Sequence, residues 1–479
     1  MELKAQQPRT RMPNPIRPLR TLILGAAGRD FHDYLMFFRN SQQFQVVGFT
    51  ATQIPYIAQR HFPTELAGPQ YPDGIPIHAE SALEALIAEQ DIEFVFLAYS
   101  DLPEHDVMQL VARVQTCGAA FAMLGSKQTQ LRSSKPVIAV TATRTGAGKS
   151  PVSQWLAQRF AKQGIRAGVL RHPMPYGDLN RQRIQRFASA SDLDDAECTV
   201  EEREEYAPYI EAGLVIHVGV DYAAILHAAE SESDLILWDG GNNDVSFIRP
   251  DLLICVADAL RPGHELSYYP SSTNIRSADI VLINKVDEAR TEDVAAMTLR
   301  IQSVNPRAQI LQTSFHPELT AGAAIGPPSE SRIELAGKRV LIIEDSPTTT
   351  HGGMASGAGL VAALRAGLDH AINPRDYAVG SIAAAFATWP HIGPVLPALG
   401  YSVAQRADLA QTIARCNPEV IVDASPAGME HLYTGSATIF RVRYPFMQRS
   451  QEEGGGPDLA MLVDAFVAER GLRRATRSS

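Results

Sequence analysis

The sequence predicts an α/β protein built from parallel, doubly wound sheets and arranged in three successive blocks. Three observations carry that expectation. Short apolar runs without alternation recur along the chain, as in strands covered on both faces. Helical patterns lie between them. With 479 residues, a norm of about 150 residues per domain gives about three domains. Composition agrees, with 45% hydrophobic and 20% charged residues, which excludes a wholly disordered chain.

The elements follow in order. Residues 1–19 carry Lys4, Arg9, Arg11 and Arg17 among prolines and lack an apolar signal core, so they read as a basic tail. Residues 20–133 form a Rossmann-like block with strands at Thr21–Gly25, Gln45–Phe49, Phe94–Ala98 and Ala120–Leu124, and a helix in Pro103–Val114. Ser133-Ser134-Lys135-Pro136 reads as a linker. Residues 134–327 hold strands at Val137–Thr141, Ala167–Leu170, Leu214–Val218, Asp234–Trp238, Leu252–Val256, Ile280–Ile283 and Gln309–Gln312. A Gly-, Pro- and Ser-rich run from Ala324 to Arg332 marks the next boundary. Residues 328–465 form a C-terminal α/β extension with strands at Arg339–Glu344 and Val420–Asp423, and residues 466–479 read as a second tail.

Charge and cysteine usage narrow the function. Lys+Arg 43 against Asp+Glu 53 gives a net charge of −10, which disfavours non-specific nucleic-acid binding. Cys117, Cys198, Cys255 and Cys416 form no CxxC pair, so neither a disulfide framework nor a zinc ribbon is expected, and the chain fits a reducing cytoplasm. The apolar stretch Ser381–Val403 is broken by Pro390, Pro394 and Pro397, so no membrane span is expected.

The most informative segment is Val140-Thr-Ala-Thr-Arg-Thr-Gly-Ala-Gly-Lys-Ser150. A buried strand runs into a Gly-rich turn and then a helix beginning near Lys149. Backbone N–H groups over Thr145, Gly146, Ala147 and Gly148 would cradle phosphates at the positive end of that helix. Lys149 would reach the terminal phosphates and Ser150 would bind Mg²⁺. The common pattern has a glycine five residues before Gly148, where this chain has Thr143. The turn is therefore a variant P-loop. Asp239 ends the apolar run Leu235–Trp238, where a carboxylate holds Mg²⁺ directly or through water. Asn284-Lys285-Val286-Asp287 follows another strand. Asn284 can pair with a purine edge, the Lys285 stem can lie on the base, and Asp287 would accept from guanine.

Three further loops stand at strand ends. Arg171-His172 through Asp178 offers two cations and one acid, Asp178 being a further Mg²⁺ candidate. Arg261-Pro-Gly-His264 offers a rigid cationic turn suited to a phosphorylated or carboxylated substrate. Glu344 to Gly353 brings acids, hydroxyls and His351. Arg144 adds a charge inside the P-loop itself. The block-one turn Gly25-Ala-Ala-Gly28 lacks a third glycine, since Phe31 stands there, and Gly48–Gln53 contains no acid for a ribose. A structural Rossmann-like domain, or one helping to hold an anionic substrate, is expected rather than a dinucleotide site.

The strings Thr141–Ser150, Arg171–Leu179, Cys198–Tyr206, Val218–Tyr222, Trp238–Asn243, Arg261–Pro270, Asn284–Asp287 and Asp345–Met354 resemble the cyclic 2,3-diphosphoglycerate synthetase family and its bacterial relatives. That resemblance implies an ATP- and Mg²⁺-dependent ligase that phosphorylates a small polyanionic phosphometabolite and closes an intramolecular anhydride. Lys149, Asp239 and Arg144 would then be catalytic, and Arg171, His172, Asp178, Arg261, His264 and His351 would hold the acceptor. By analogy with related P-loop proteins a homodimer is expected. The Asn-Lys-Val-Asp string leaves GTP open as the nucleotide, and with it a regulatory or chaperone-type GTPase acting on a partner protein.

Overall fold

The computed structural model describes residues 17–51, 60–173, 177–241, 244–315, 317–321, 333–350, 352–399, 403–425, 432–433, 435–443, 446–450, 452 and 456–472. The strands number, in chain order, β1 (Leu19–Leu24), β2 (Phe44–Ala51), β3 (His61–Phe62), β4 (Ile75–Ala79), β5 (Phe94–Leu97), β6 (Leu102–Pro103), β7 (Ala120–Met123), β8 (Val137–Ala142), β9 (Ala167–Arg171), β10 (Gln185–Phe187) and β11 (Ile216–Val218). They continue with β12 (Leu235–Asp239), β13 (Leu252–Asp258), β14 (Tyr268–Tyr269), β15 (Ile280–Asn284), β16 (Gln309–Phe315), β17 (Glu318–Ala321), β18 (Val340–Glu344), β19 (Leu396–Pro397), β20 (Val420–Asp423), β21 (Thr438–Arg443) and β22 (Phe446–Gln448).

The α/β expectation holds. The central sheet runs β10-β11-β9-β12-β8-β13-β15-β16-β22, and its strands from β11 to β16 are parallel. Each of β8, β9, β12 and β15 is buried along its whole length, which is why these runs show no alternation. The first sheet, β3-β4-β2-β1-β5-β7, and the third, β17-β21-β20-β18-β19, follow the same logic with an antiparallel strand at one edge.

Two features depart from the sequence reading. The antiparallel edges β10 and β22 were not expected. The chain also returns to the central sheet after visiting the third: β22 pairs with β16, and the helix Leu459–Glu469 buries Leu459, Val463, Phe466 and Val467 in the central core. Residues 466–469, placed in a tail by the sequence reading, belong to that helix, whose apolar face is buried. No helix among the described residues is long and apolar enough to cross a membrane.

The loop after β8 touches both flanking blocks, through Arg144 paired with Asp101 and Gly146 lying against Thr348. A two-residue ribbon, β6 with β14, ties the first block to the central one. The carboxyl ends of β1 and β5 thereby face the loops that follow β8, β9 and β12.

Candidate active site

β8 enters a turn in which Gly146 and Gly148 take positive φ values of 77° and 105°. A Cβ on Gly148 would collide with the Asn284 amide, so the site requires glycine there on both counts. The helix Lys149–Lys162 starts directly after it. Asn284 donates to the Ala147 carbonyl at 2.9 Å and accepts from Thr313 Oγ1 at 2.9 Å. Lys285, at φ 64°, donates to the Gly146 carbonyl at 2.7 Å and to Asp258 at 3.0 Å. The Asn-Lys pair thus braces the phosphate loop from below. Asp287 forms an ion pair with Arg449 at 3.5 Å.

Asp239 is fully buried at the end of β12. Its Oδ1 accepts from Lys149 Nζ at 2.7 Å and Ser153 Oγ at 3.0 Å; its Oδ2 accepts from Tyr209 OH at 2.7 Å and from Arg171. Burial opposes the carboxylate, but Arg171 and Lys149 outweigh it and hold its pKa below the usual range. The lysine moves the other way: burial, helped by Arg171, lowers its pKa against the pull of Asp239.

The expected acceptor cradle takes a different form. Arg171 is buried and committed, with one guanidinium nitrogen on Asp239 and another 2.6 Å from Glu205. Arg144 pairs with Asp101 of the first block at 2.5 Å, meets His264 Nδ1 at 2.6 Å and lies 3.8 Å over the Tyr268 ring. Arg261 spans Asp258, the Thr145 carbonyl and the Gly352 carbonyl. These cations brace loops against one another and are not presented to an anion. Asp178 is exposed, accepts from the Asn180 backbone at 2.9 Å, and makes no bond to the Lys149–Asp239 cluster. His351 lies outside the described residues.

His172 is placed most tellingly. Its ring fills the space that side chains at Gly28 and Gly241 would occupy, between the β1 turn of the first block and the Asp239-Gly-Gly turn. Burial, with Arg171 and Lys149 nearby, lowers its pKa to about 3, so the ring is neutral. The front block therefore reaches the phosphate site. It brings with it Arg29, Asp30, His32 and Asp33, all buried, against buried Asp244. Sequence reasoning passed over these acids and Tyr209. The available signal was the string Arg29-Asp-Phe-His-Asp33 directly after a Gly-rich strand end.

No family model matches the chain. Over 449 residues, 94% of this chain and 97% of the relative, it is 49% identical to arginine synthetase ArcE of Thermococcus kodakarensis. The chain belongs to the arginine synthetase ArcE family. It is also 30% identical over 235 residues to tetraacyldisaccharide 4'-kinase of Pseudomonas putida, covering 46% of this chain and 67% of that one. The similarity to cyclic 2,3-diphosphoglycerate synthetase of Pyrococcus furiosus is present but short: 27% over 105 residues, 22% of this chain and 23% of the relative. The resemblance read from the motifs thus holds at the level of a shared superfamily, and the identity as a cyclic diphosphoglycerate synthetase is not supported.

Proposed function

We propose that this chain is an ATP-dependent synthetase that forms the guanidino group of arginine. The observation that carries the reading is a phosphate loop with its Lys149–Asp239 pair in a chain 49% identical, nearly end to end, to an arginine synthetase. Arginine differs from citrulline by a nitrogen in place of the ureido oxygen. Exchanging them requires that oxygen to become a leaving group, which phosphorylation achieves. The γ-phosphoryl of ATP passes to the ureido oxygen and ADP leaves; ammonia, formed from ammonium by loss of one proton, then attacks the carbon and phosphate departs.

The chain's own residues fit the first half. Backbone N–H groups from Gly146 to Ser150, with Lys149, hold the phosphates and stabilise charge on the transferring group. Lys149 is stored against Asp239 and exchanges that partner for the γ-phosphate, while Ser153 remains on the same oxygen and Arg171 and Tyr209 fix the other. Mg²⁺ would be held by Ser150 and Asp239, whose carboxylate is kept charged among four donors, and would neutralise charge on the phosphates. Asp178 does not fit that role. A polyanionic acceptor is disfavoured, since Arg144, Arg171 and Arg261 are already paired and the facing block adds carboxylates.

The test is product analysis with ATP or GTP, Mg²⁺, citrulline and ammonium. The reading expects arginine and nucleoside diphosphate in equal amounts, with ATP preferred. GTP hydrolysis that ignores citrulline and yields no arginine would overturn it in favour of a GTPase, the reading that Asn284 to Asp287 favours.

A further inference from the structure

We propose that the seam between the first block and the phosphate loop is a binding site for a planar cationic nitrogen group, with Asp33 and Asp244 as its carboxylate ligands. The proposal rests on the arginine-forming reading for the identity of that group, a guanidinium, and on the seam itself for its charge.

The seam contains three buried carboxylates. Asp30 and Asp33 are 2% exposed and Asp244 is 6% exposed. One buried cation, Arg29, faces them, its Nε 3.6 Å from Asp33 Oδ2. The rest of that guanidinium is directed elsewhere, to Tyr269 OH at 2.7 Å and the Leu124 carbonyl at 3.3 Å. Asp30 is partly spoken for, since its Oδ1 accepts from the backbone N–H of Ala27 at 2.6 Å and of Phe31 at 2.8 Å. The Asp33 carboxylate has Arg29 and the Thr129 side chain beside it, yet its Oδ1 is buried without a hydrogen-bond partner. Two further buried polar atoms of the seam, His32 Nδ1 and His172 Nδ1, also lack partners.

Buried carboxylates are normally paired, and an orphaned oxygen among them calls for a donor. The two histidines do not supply the missing charge, because burial holds both rings neutral, with pKa values lowered to about 3. Burial likewise raises Asp33 and Asp244 to about 6 against the pull of Arg29, the signature of carboxylates short of a cation. A metal ion is not the occupant this geometry favours: among the described residues no group of three His, Cys, Asp or Glu side chains could hold one. A guanidinium suits the seam better, since its planar fork of N–H donors can satisfy carboxylates from two different elements at once. Position agrees as well. Lys149 is close enough to influence Asp244, and His172 spans from Gly28 to Gly241, so a group seated here lies beside the transferring phosphate.

The experiment is calorimetric titration of the full-length protein, with ADP and Mg²⁺ present, by L-arginine and separately by methylguanidinium. The variants are Asp33→Asn and Asp244→Asn, both near-isosteric, and the ADP affinity of the same samples reports their folding. The expected result is arginine binding to the wild type that weakens at least tenfold in each variant while ADP affinity is kept. Arginine binding to folded variants as to the wild type would overturn the site and leave the synthetase reading standing. Methylguanidinium binding that is lost in the variants, with no arginine binding to the wild type, would support the site and remove arginine as its ligand. A wild type that binds neither would overturn the proposal.

Discussion

Replacing Asp239 by Asn tests whether one carboxylate organises the phosphate site. The wild-type carboxylate is fully buried and accepts from four side chains, two of them cations. An amide of the same shape keeps one oxygen and turns an NH₂ group toward the other pair, so either Lys149 and Ser153 or Arg171 and Tyr209 meet a donor. Leaving a buried charge unpaired costs about 3–5 kcal/mol. Arg171 keeps Glu205 at 2.6 Å, which places the expectation at the lower end, about 3 kcal/mol, or roughly a hundredfold in the folding equilibrium. Equilibrium urea unfolding followed by tryptophan fluorescence measures it, because Trp238 is buried next to Asp239. The control is Arg290→Gln, which breaks the exposed Arg290–Asp293 pair and should leave the unfolding midpoint nearly unchanged. Because the folded-state pKa of Asp239 is depressed, its contribution is present at neutral pH and is lost only as pH falls below the ordinary carboxylate range. An Asp239→Asn protein as stable as the control would refute the reasoning.

Three other outcomes are expected. Gly241→Ala would drive a methyl into the His172 ring, so a loss of about 1–3 kcal/mol in thermal unfolding should accompany loss of turnover; unchanged stability would show that His172 does not sit between Gly28 and Gly241. Asp30 has a pKa raised by burial to about 7, so the stability it contributes is present below about pH 4 and is lost as pH rises through 7. Asp30→Asn, which can still accept from Ala27 and Phe31, should therefore gain in Tm relative to wild type between about pH 5 and about pH 8, and a difference that does not move with pH would contradict the burial argument. Lys149→Ala should retain the fold yet lower nucleotide turnover by about a hundredfold or more, read by phosphate release; full-rate turnover would displace Lys149 from the site.

What the sequence made legible was local. A phosphate loop needs particular residues at fixed spacing on a strand, a turn and a helix start, so Thr145 to Ser150 could be read directly. Asp239 and Asn284 could be placed because each ends an apolar run. Partnerships across the sheet could not. Arg171 reads as a free cation at a strand end, yet it lies beside an acid 68 residues away and is consumed by it. Asp30 and Asp33 were passed over, since nothing in the local sequence shows that both are buried, with Asp33 near Asp244 of the central block. The antiparallel edges β10 and β22 escaped for a related reason: short apolar runs carry no mark of strand direction. Counting cations along a chain likewise cannot show which are already paired.

The most direct test follows the ureido oxygen. Citrulline labelled with ¹⁸O at that position is incubated with the full-length protein, ATP, Mg²⁺ and ammonium, and the inorganic phosphate is analysed by ³¹P NMR or mass spectrometry. Phosphoryl activation predicts one ¹⁸O in the phosphate for each arginine formed. Arginine formed with the label in water instead of phosphate would contradict it.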